Sequence, residues 1–175
     1  MKQELTIRMS LFSVQSLTYF RLNSPEQSAL HHLKYKNSQQ IGTWMGEKMA
    51  QAILTAPHLS DLDALLPIPM APIKEYKRGY NQAEEIAKGI QKSLNIPIIF
   101  PVRKKIFGIG ATKNNRKKRV SMNYNPFTSS KLFQAKHALI VDDVLTTGST
   151  IEKYIRALSP NNFTKLSVIT FSHTL

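Results

Sequence analysis

The sequence predicts an α/β protein: a central, mostly parallel sheet flanked by helices, with a long, flexible basic loop. Two features carry that prediction. Apolar runs of strand length, at 63–69, 96–100, 132–144 and 166–171, alternate with stretches whose apolar residues recur every three or four positions. The run that ends at Asp142-Asp143 also passes through a short hydroxyl-and-glycine loop straight into a helical pattern. Strand–loop–helix order is how parallel sheets are built. A chain of 175 residues with 42% hydrophobic content buries one good core, so 1–175 reads as a single domain. Residues 1–36 read as an N-terminal extension packing on it.

In chain order, 5–21 holds one or two short strands, with Leu5, Ile7, Met9 and Leu11 alternating before a second run from Val14 to Phe20. Pro25 starts a short helical stretch through Leu30 and Leu33. Ile41, Trp44, Met45, Lys48, Met49, Ala52 and Ile53 trace one helical stripe, whose Trp and Met belong to a core rather than to a ligand site. Asp63 to Pro69 is a short buried strand stopped by prolines. A helix follows through Ala83, Ile86, Ala87, Ile90 and Leu94, then a strand from Ile96 to Phe100. Residues 102–128 read as a long polar loop, and 132–144 as a strand or hairpin. The helix at 149–158 opens on Ser149-x-x-Glu152, a capping-box pattern. Leu166 to Phe171 alternates as a final strand, and no internal repeat is present.

Composition removes several classes. With no cysteine there is no disulfide framework, thiolate metal site or thiolate nucleophile. No apolar stretch reaches the roughly 20 residues of a membrane span. Lys2 and Arg8 precede no apolar signal core, so the expected location is the cytoplasm. Gly108-Ile109-Gly110 lacks the third glycine and the strand–helix flanks of a dinucleotide fingerprint. The net charge of +13 is unevenly placed, because residues 86–141 carry no acid at all. Within that gap Arg103, Lys104, Lys105, Lys113, Arg116, Lys117, Lys118 and Arg119 form two basic clusters. Such a run is a solvated, mobile loop, a lid over a polyphosphate, or a platform for nucleic acid. Only Phe107 and Tyr124 flank it, which is thin for base stacking.

His137 to Thr150 is the most informative stretch. An apolar run ends in Asp142 and Asp143, and Thr146, Thr147, Gly148, Ser149 and Thr150 follow almost at once. Backbone N–H groups at a helix start, with hydroxyls beside them, suit a phosphate monoester. Two carboxylates just upstream suit a diol, alone or with magnesium, and a sugar phosphate meets both demands. Each half has a plain structural reading too: a strand end with solvated charges, and a loop with a helix cap. Successive residues of a strand point to opposite faces. Both carboxylates therefore converge only if the strand breaks at Asp142 or Asp143.

Apolar residues, Asp-Asp, three residues and Thr-Gly resemble the 5-phosphoribosyl-1-pyrophosphate (PRPP) signature of type I phosphoribosyltransferases. Pro67-Ile68-Pro69-Met70-Ala71-Pro72, then Lys77-Arg78-Gly79-Tyr80-Asn81-Gln82, are similar to the proline-rich loop and Arg-Gly-aromatic-Asn-Gln run of ComF-like proteins. His32-Leu33-Lys34-Tyr35-Lys36 resembles that family's Leu-Lys-Tyr segment. The resemblance runs from about Tyr19 to His173 and lacks the N-terminal zinc ribbon of many relatives. It implies the type I phosphoribosyltransferase fold and displacement of pyrophosphate at the anomeric carbon of PRPP. Asp142 and Asp143 would hold the ribose hydroxyls and stabilise the cationic ring. Thr146, Thr147, Gly148, Ser149 and Thr150 would cradle the 5-phosphate, with Val144 and Leu145 also among the PRPP-binding residues. The loop from Met70 and Ala71 to Lys77 and Arg78 would take pyrophosphate, and Mg²⁺ would arrive with PRPP rather than on dedicated ligands. Arg116 and Arg119 join Asp142 and Asp143 as the catalytic set.

In the long loop the family pattern is Gln-Thr, then Arg-x-x-Arg-x-x-Asn and a Phe. Thr112, Arg116, Arg119 and Phe127 align, while Ala111 stands at the Gln position and Met122 at the Asn position. Two function classes follow. One is a phosphoribosyltransferase acting on PRPP or another ribose 5-phosphate compound, with an unidentified acceptor. The other is a non-catalytic PRPP-sensing or vestigial module whose basic face binds single-stranded DNA, with DNA-uptake proteins as partners. Neither acceptor nor oligomeric state is written in the sequence.

Overall fold

The computed structural model describes residues 11–21, 23–35, 38–105, 125–130, 133–158 and 163–174. Its elements are β1 (Ser13–Tyr19), α1 (Pro25–Tyr35), α2 (Gln39–Leu54), a 3-10 turn (Pro57–Leu59), β2 (Ala64–Pro67), α3 (Pro72–Arg78) and α4 (Gln82–Leu94). They continue with β3 (Val102–Lys104), β4 (Phe127–Ser129), β5 (Ala135–Leu145), α5 (Ser149–Ile155) and β6 (Phe163–His173). The main sheet has the order β1-β6-β5-β2, and every pairing in it is parallel.

A parallel sheet must be covered on both faces, and the two-residue period of β5 and β6 divides its apolar residues accordingly. Leu65, Leu139, Val141, Ile169 and Phe171 meet Leu30 and Leu33 of α1, Met45, Met49 and Ile53 of α2, and Ile86 and Ile90 of α4. Leu66, Ala138, Ile140, Leu166 and Val168 point the other way, onto Ile151 and Tyr154 of α5, with Val102 and Phe127 of the β3–β4 hairpin. On the first face α2 and α4 cross in near backbone contact. A Cβ added at Gly89 would overlap the Thr43 carbonyl oxygen and lie 2.9 Å from the Gly46 Cα.

The expected α/β order is present, with four differences. Of the stretch read as an extension, β1 is a full strand of the sheet, paired with β6 from Ser13↔Ser167 to Tyr19↔His173. Residues 1–10, with their alternating Leu5, Ile7 and Met9, lie outside the described residues. The strand expected from Ile96 to Phe100 is reduced to one bridge, Leu65↔Ile98, because Pro97 supplies no ladder N–H. The ends of the expected long loop, β3 and β4, pair as an antiparallel hairpin, since Val102 and Phe127 are buried apolar anchors in a polar stretch. Finally, Pro72–Arg78 is a helix rather than a loop. Pro72 sits at its first position and Gly79 (φ 83°) ends it in the left-handed region, a Pro-first, Gly-last signature legible in the sequence.

Candidate functional site

Asp142 and Asp143 lie at the carboxyl end of β5, the end at which open α/β sheets bind ligands. β5 does not break there, contrary to the sequence expectation, and continues to Leu145. Its neighbour stops instead. β2 ends at Pro67, opposite Val141, and the Ile68 N–H donates to the Val141 carbonyl at 3.1 Å. Two residues on, the Asp143 N–H faces that vacated side of the strand and donates to its own neighbour, Asp142 Oδ1, at 2.9 Å. With the ladder gone from one edge, both carboxylates border a single cleft of about 510 Å³, a volume usual for a small-molecule site.

The cleft walls come from six segments around the end of β5. The loop Ile68–Ala71 and the α3 side chains Lys74 and Arg78 form one side, while Asn81, Gln82 and Ala83 open α4. Lys34 enters from α1, Lys104 from β3 and Thr150 from α5. Four cations thus surround two carboxylates. Because 72–78 is helical, Lys74 and Arg78, four residues apart, share the cleft face. Lys77, expected at the site, is exposed and does not line the cleft. Lys104 lies 5.0 Å from the Phe127 ring centroid, and its ammonium is pushed below the usual lysine range by burial and then by Lys74. Asp142 keeps some accessible surface, yet burial and then the charge of Asp143 raise its carboxyl well above the usual range, against a smaller opposing pull from Lys34.

Three consecutive side chains tie this cleft together. The Tyr80 hydroxyl donates to the Leu33 carbonyl beside Lys34, at 2.5 Å. Asn81 Nδ2 donates to the Ile68 carbonyl at 3.0 Å, holding the proline-rich loop. Gln82 Nε2 reaches Asp143 Oδ2 at 3.4 Å, and Lys34 Nζ lies 3.1 Å from the same oxygen. Lys34, Lys74, Lys104 and this Tyr-Asn-Gln trio are not among the site residues expected from the sequence. The trio is signalled by the run Arg78-Gly79-Tyr80-Asn81-Gln82, in which uncharged polar residues stand at the start of a helix, Lys34 by its Leu-Lys-Tyr segment and Lys104 by the basic cluster at 103–105, while nothing in the sequence marks Lys74.

The 146–150 segment is also placed differently in detail. Gly148, at φ 75°, is the N-cap residue, and Ser149 is the first residue of the helix. The expected capping box is therefore absent: the Glu152 N–H bonds the Gly148 carbonyl, and the Glu152 carboxylate pairs with Arg156 at 2.7 Å. α5 spans only seven residues, not the ten expected. Thr146, Thr147, Ser149 and Thr150 are exposed, and Thr150 reaches the cleft lining, whereas Leu145 belongs to the second core. Met70 and Ala71 line the cleft as expected, while Val144 does not. Arg116 and Arg119, and with them Thr112, Ala111 and Met122, lie outside the described residues.

At the other end of the sheet Asp61, His137 and Ser167 form a chain of 2.6 and 2.8 Å contacts that imitates a nucleophile–base–acid triad. Ser167 and His137 have no exposed surface, and Ser13 Oγ donates to Ser167 Oγ at 2.9 Å. No substrate reaches that serine; the chain satisfies buried polar atoms, with Asp61 also held by Lys165 at 2.7 Å.

Residues 66–172 match the family model described as the phosphoribosyl transferase domain. Among curated proteins the chain is 24% identical to competence protein F of Haemophilus influenzae over 141 residues, covering 77% of this chain and 62% of the relative. It is 23% identical to the DNA utilization protein YhgH of Escherichia coli K12, covering 86% and 68%. It is also 22% identical to competence protein ComFC of Bacillus subtilis, covering 87% and 61%. The chain therefore spans about three fifths to two thirds of these relatives' length. The solved structure of the allosteric regulatory enzyme of purine biosynthesis superposes with a TM-score of 0.51 at 15% identity, over 81% of this chain and 30% of that one. That is a likeness of fold. Among the described residues no helix is long and apolar enough to cross a membrane.

Proposed function

Given that the chain belongs to the phosphoribosyl transferase domain family and is ComF-like within it, we propose that its cleft binds PRPP and transfers the phosphoribosyl group to an acceptor nucleophile, which bonds to the anomeric carbon as pyrophosphate leaves. The observation that carries this reading is the pair Asp142-Asp143, side by side on an open strand edge, within a cleft whose other charged lining residues are four cations. The cations suit a polyanion and the carboxylates suit a diol. A sugar carrying phosphate groups needs both.

Asp142 and Asp143 receive the ribose hydroxyls through the oxygens that face the cleft. As pyrophosphate departs, positive charge grows on the sugar ring. A fixed carboxylate beside it stabilises that charge without solvent having to reorganise. Lys74, Arg78 and Lys104 neutralise the leaving group, and half-buried Lys104 is screened by water less than exposed Lys74 is. Thr146, Thr147, Ser149 and Thr150 supply hydroxyls and backbone N–H groups for the 5-phosphate, with Gly148 keeping the loop tight. α5 is too short to add much dipole, so the hydroxyls and amides carry that task. Among the described residues no three metal-ligating side chains converge. Two neighbouring carboxylates are nonetheless a fitting foothold for Mg²⁺ held mostly by substrate oxygens and water. When bound beside Asp142 and Asp143, the ion would supply charge neutralisation for the pyrophosphate.

Thermal melting with Mg-PRPP tests the reading. A ligand that binds only the folded state stabilises by RT ln(1 + [L]/Kd), about 2.7 kcal/mol at a hundredfold excess over Kd. Wild type should gain that increment, and Asp142→Asn with Asp143→Asn should abolish it. Arg116→Ala with Arg119→Ala should weaken PRPP more than ribose 5-phosphate in parallel calorimetry.

The net charge of +13, the acid-free stretch 86–141 and relatives named for competence and DNA utilization favour a second reading. In it the protein is non-catalytic and its basic face binds single-stranded DNA. No heat and no melting shift with either sugar phosphate, in folded protein with Mg²⁺ present, favours that reading. The salt dependence of DNA binding with and without Mg-PRPP then shows whether the two ligands share a surface.

A further inference from the structure

Lys34 is no ordinary surface lysine. It comes next to Leu33, which has no exposed surface, near the end of α1. The Tyr80 hydroxyl clasps the Leu33 carbonyl, so a buried anchor delivers the ammonium to the cleft. Nζ lies 3.1 Å from Asp143 Oδ2, with Lys34 32% and Asp143 15% exposed, and Gln82 Nε2 approaches the same oxygen. One oxygen of Asp142 is also committed, to the Asp143 N–H.

Two adjacent carboxylates in a cleft floor repel each other and lose hydration, so the pair needs a cation to stay usable. In many acidic pairs that cation is a metal ion. We infer that Lys34 is a resident cation of the Asp142–Asp143 pair, a positioning residue that lets the ribose diol bind without a metal, so that Mg²⁺ is needed only where pyrophosphate binds. The inference rests on the proposed reading of the cleft as a sugar-phosphate site and specifies which part of the ligand requires the ion. Lys34 neutralises one carboxylate and orients it, while Gln82 fixes its rotation. The uncommitted oxygens of the pair then face a neutral diol, which brings no charge of its own. Lys74, Arg78 and Lys104 also border the cleft, while the cation seated directly on a carboxylate oxygen of the pair is Lys34.

Calorimetry with ribose 5-phosphate and with PRPP, each in EDTA and in Mg²⁺, tests this on the intact chain. Wild type should bind ribose 5-phosphate equally well in both buffers, and PRPP far better with Mg²⁺. Lys34→Met should lose about tenfold or more in ribose 5-phosphate affinity in EDTA, the scale of one charge-assisted hydrogen bond. Added Mg²⁺ should restore most of that loss, and Lys34→Arg should resemble wild type. A merely structural lysine would yield neither rescue. Ribose 5-phosphate binding by wild type that collapses in EDTA overturns the inference without needing any variant. So does a folded Lys34→Met protein that binds ribose 5-phosphate in EDTA as wild type does. Binding of neither ligand by wild type is a different failure: it removes the sugar-phosphate reading itself, and the inference with it.

Discussion

Replacing Tyr80 with Phe deletes one oxygen and keeps the ring, which packs in the first core with 4% exposure. What remains is the Leu33 carbonyl, buried near the end of α1 without the donor that now satisfies it. An unmet buried acceptor costs about 1–3 kcal/mol, and a neutral hydroxyl–carbonyl pair sits near the middle of that range. At about 1.5 kcal/mol, and about 2–4 °C per kcal/mol for a domain of this size, the variant should melt about 3–6 °C below wild type at neutral pH. The pH dependence adds a check on the cause. Burial raises the Tyr80 phenol above its usual value of 10.0 in the folded protein. A raised folded value contributes stability below the unfolded value that is lost as pH climbs through the folded one. The gap between wild type and Tyr80→Phe should therefore be full at pH 7 and shrink above pH 10. Scanning calorimetry at both pH values, with denaturant curves to confirm an unchanged slope, reads this directly. Ribose 5-phosphate affinity should fall less than in Lys34→Met, and the two substitutions together should cost less than their sum, because the hydroxyl acts through the lysine. A variant that melts like wild type at pH 7 would refute the anchoring argument, since the Leu33 carbonyl would then have no need of Tyr80.

Asp142→Asn should raise thermal stability at neutral pH while removing the Mg-PRPP melting shift. The raised folded-state carboxyl makes wild type lose stability as pH rises from the unfolded value of 3.8, so the variant's advantage should fade as pH is lowered toward 3.8. Gly148→Val places a β-branched side chain at φ 75° and should cost at least about 1–2 kcal/mol in denaturant unfolding, besides abolishing the ligand-induced shift. Gly89→Ala drives a methyl group into the Thr43 carbonyl oxygen across the α2–α4 crossing. Backbone cannot rotate away, so urea unfolding should show a loss of about 2–3 kcal/mol, the upper end of overpacking.

The alternation of strand and helix was legible because periodicity is local. The Ile86, Ala87 and Ile90 stripe and the 166–171 alternation each announce their element without reference to the rest of the chain. The acidic pair and the Thr-Gly loop were legible for the same reason, since their chemistry sits within nine consecutive residues. Pro72–Arg78 was missed although its Pro and Gly are in the sequence, because a seven-residue helix with no buried side chain has no stripe to display.

What the sequence by itself determined is the fold class, the position of the acidic pair at a strand's carboxyl end, and the hydroxyl loop after it. Tertiary structure decided how the two carboxylates come to share a cleft. That depends on where β2 stops, a property of Pro67 and the loop after it, some 75 residues upstream of the acids. It also decided that Lys34, 109 positions before Asp143, supplies the ion pair, and that Lys74 rather than Lys77 faces the site. Contacts between distant segments leave no period in the sequence, and the facing of a charged side chain on a short helix is set by what the helix packs against.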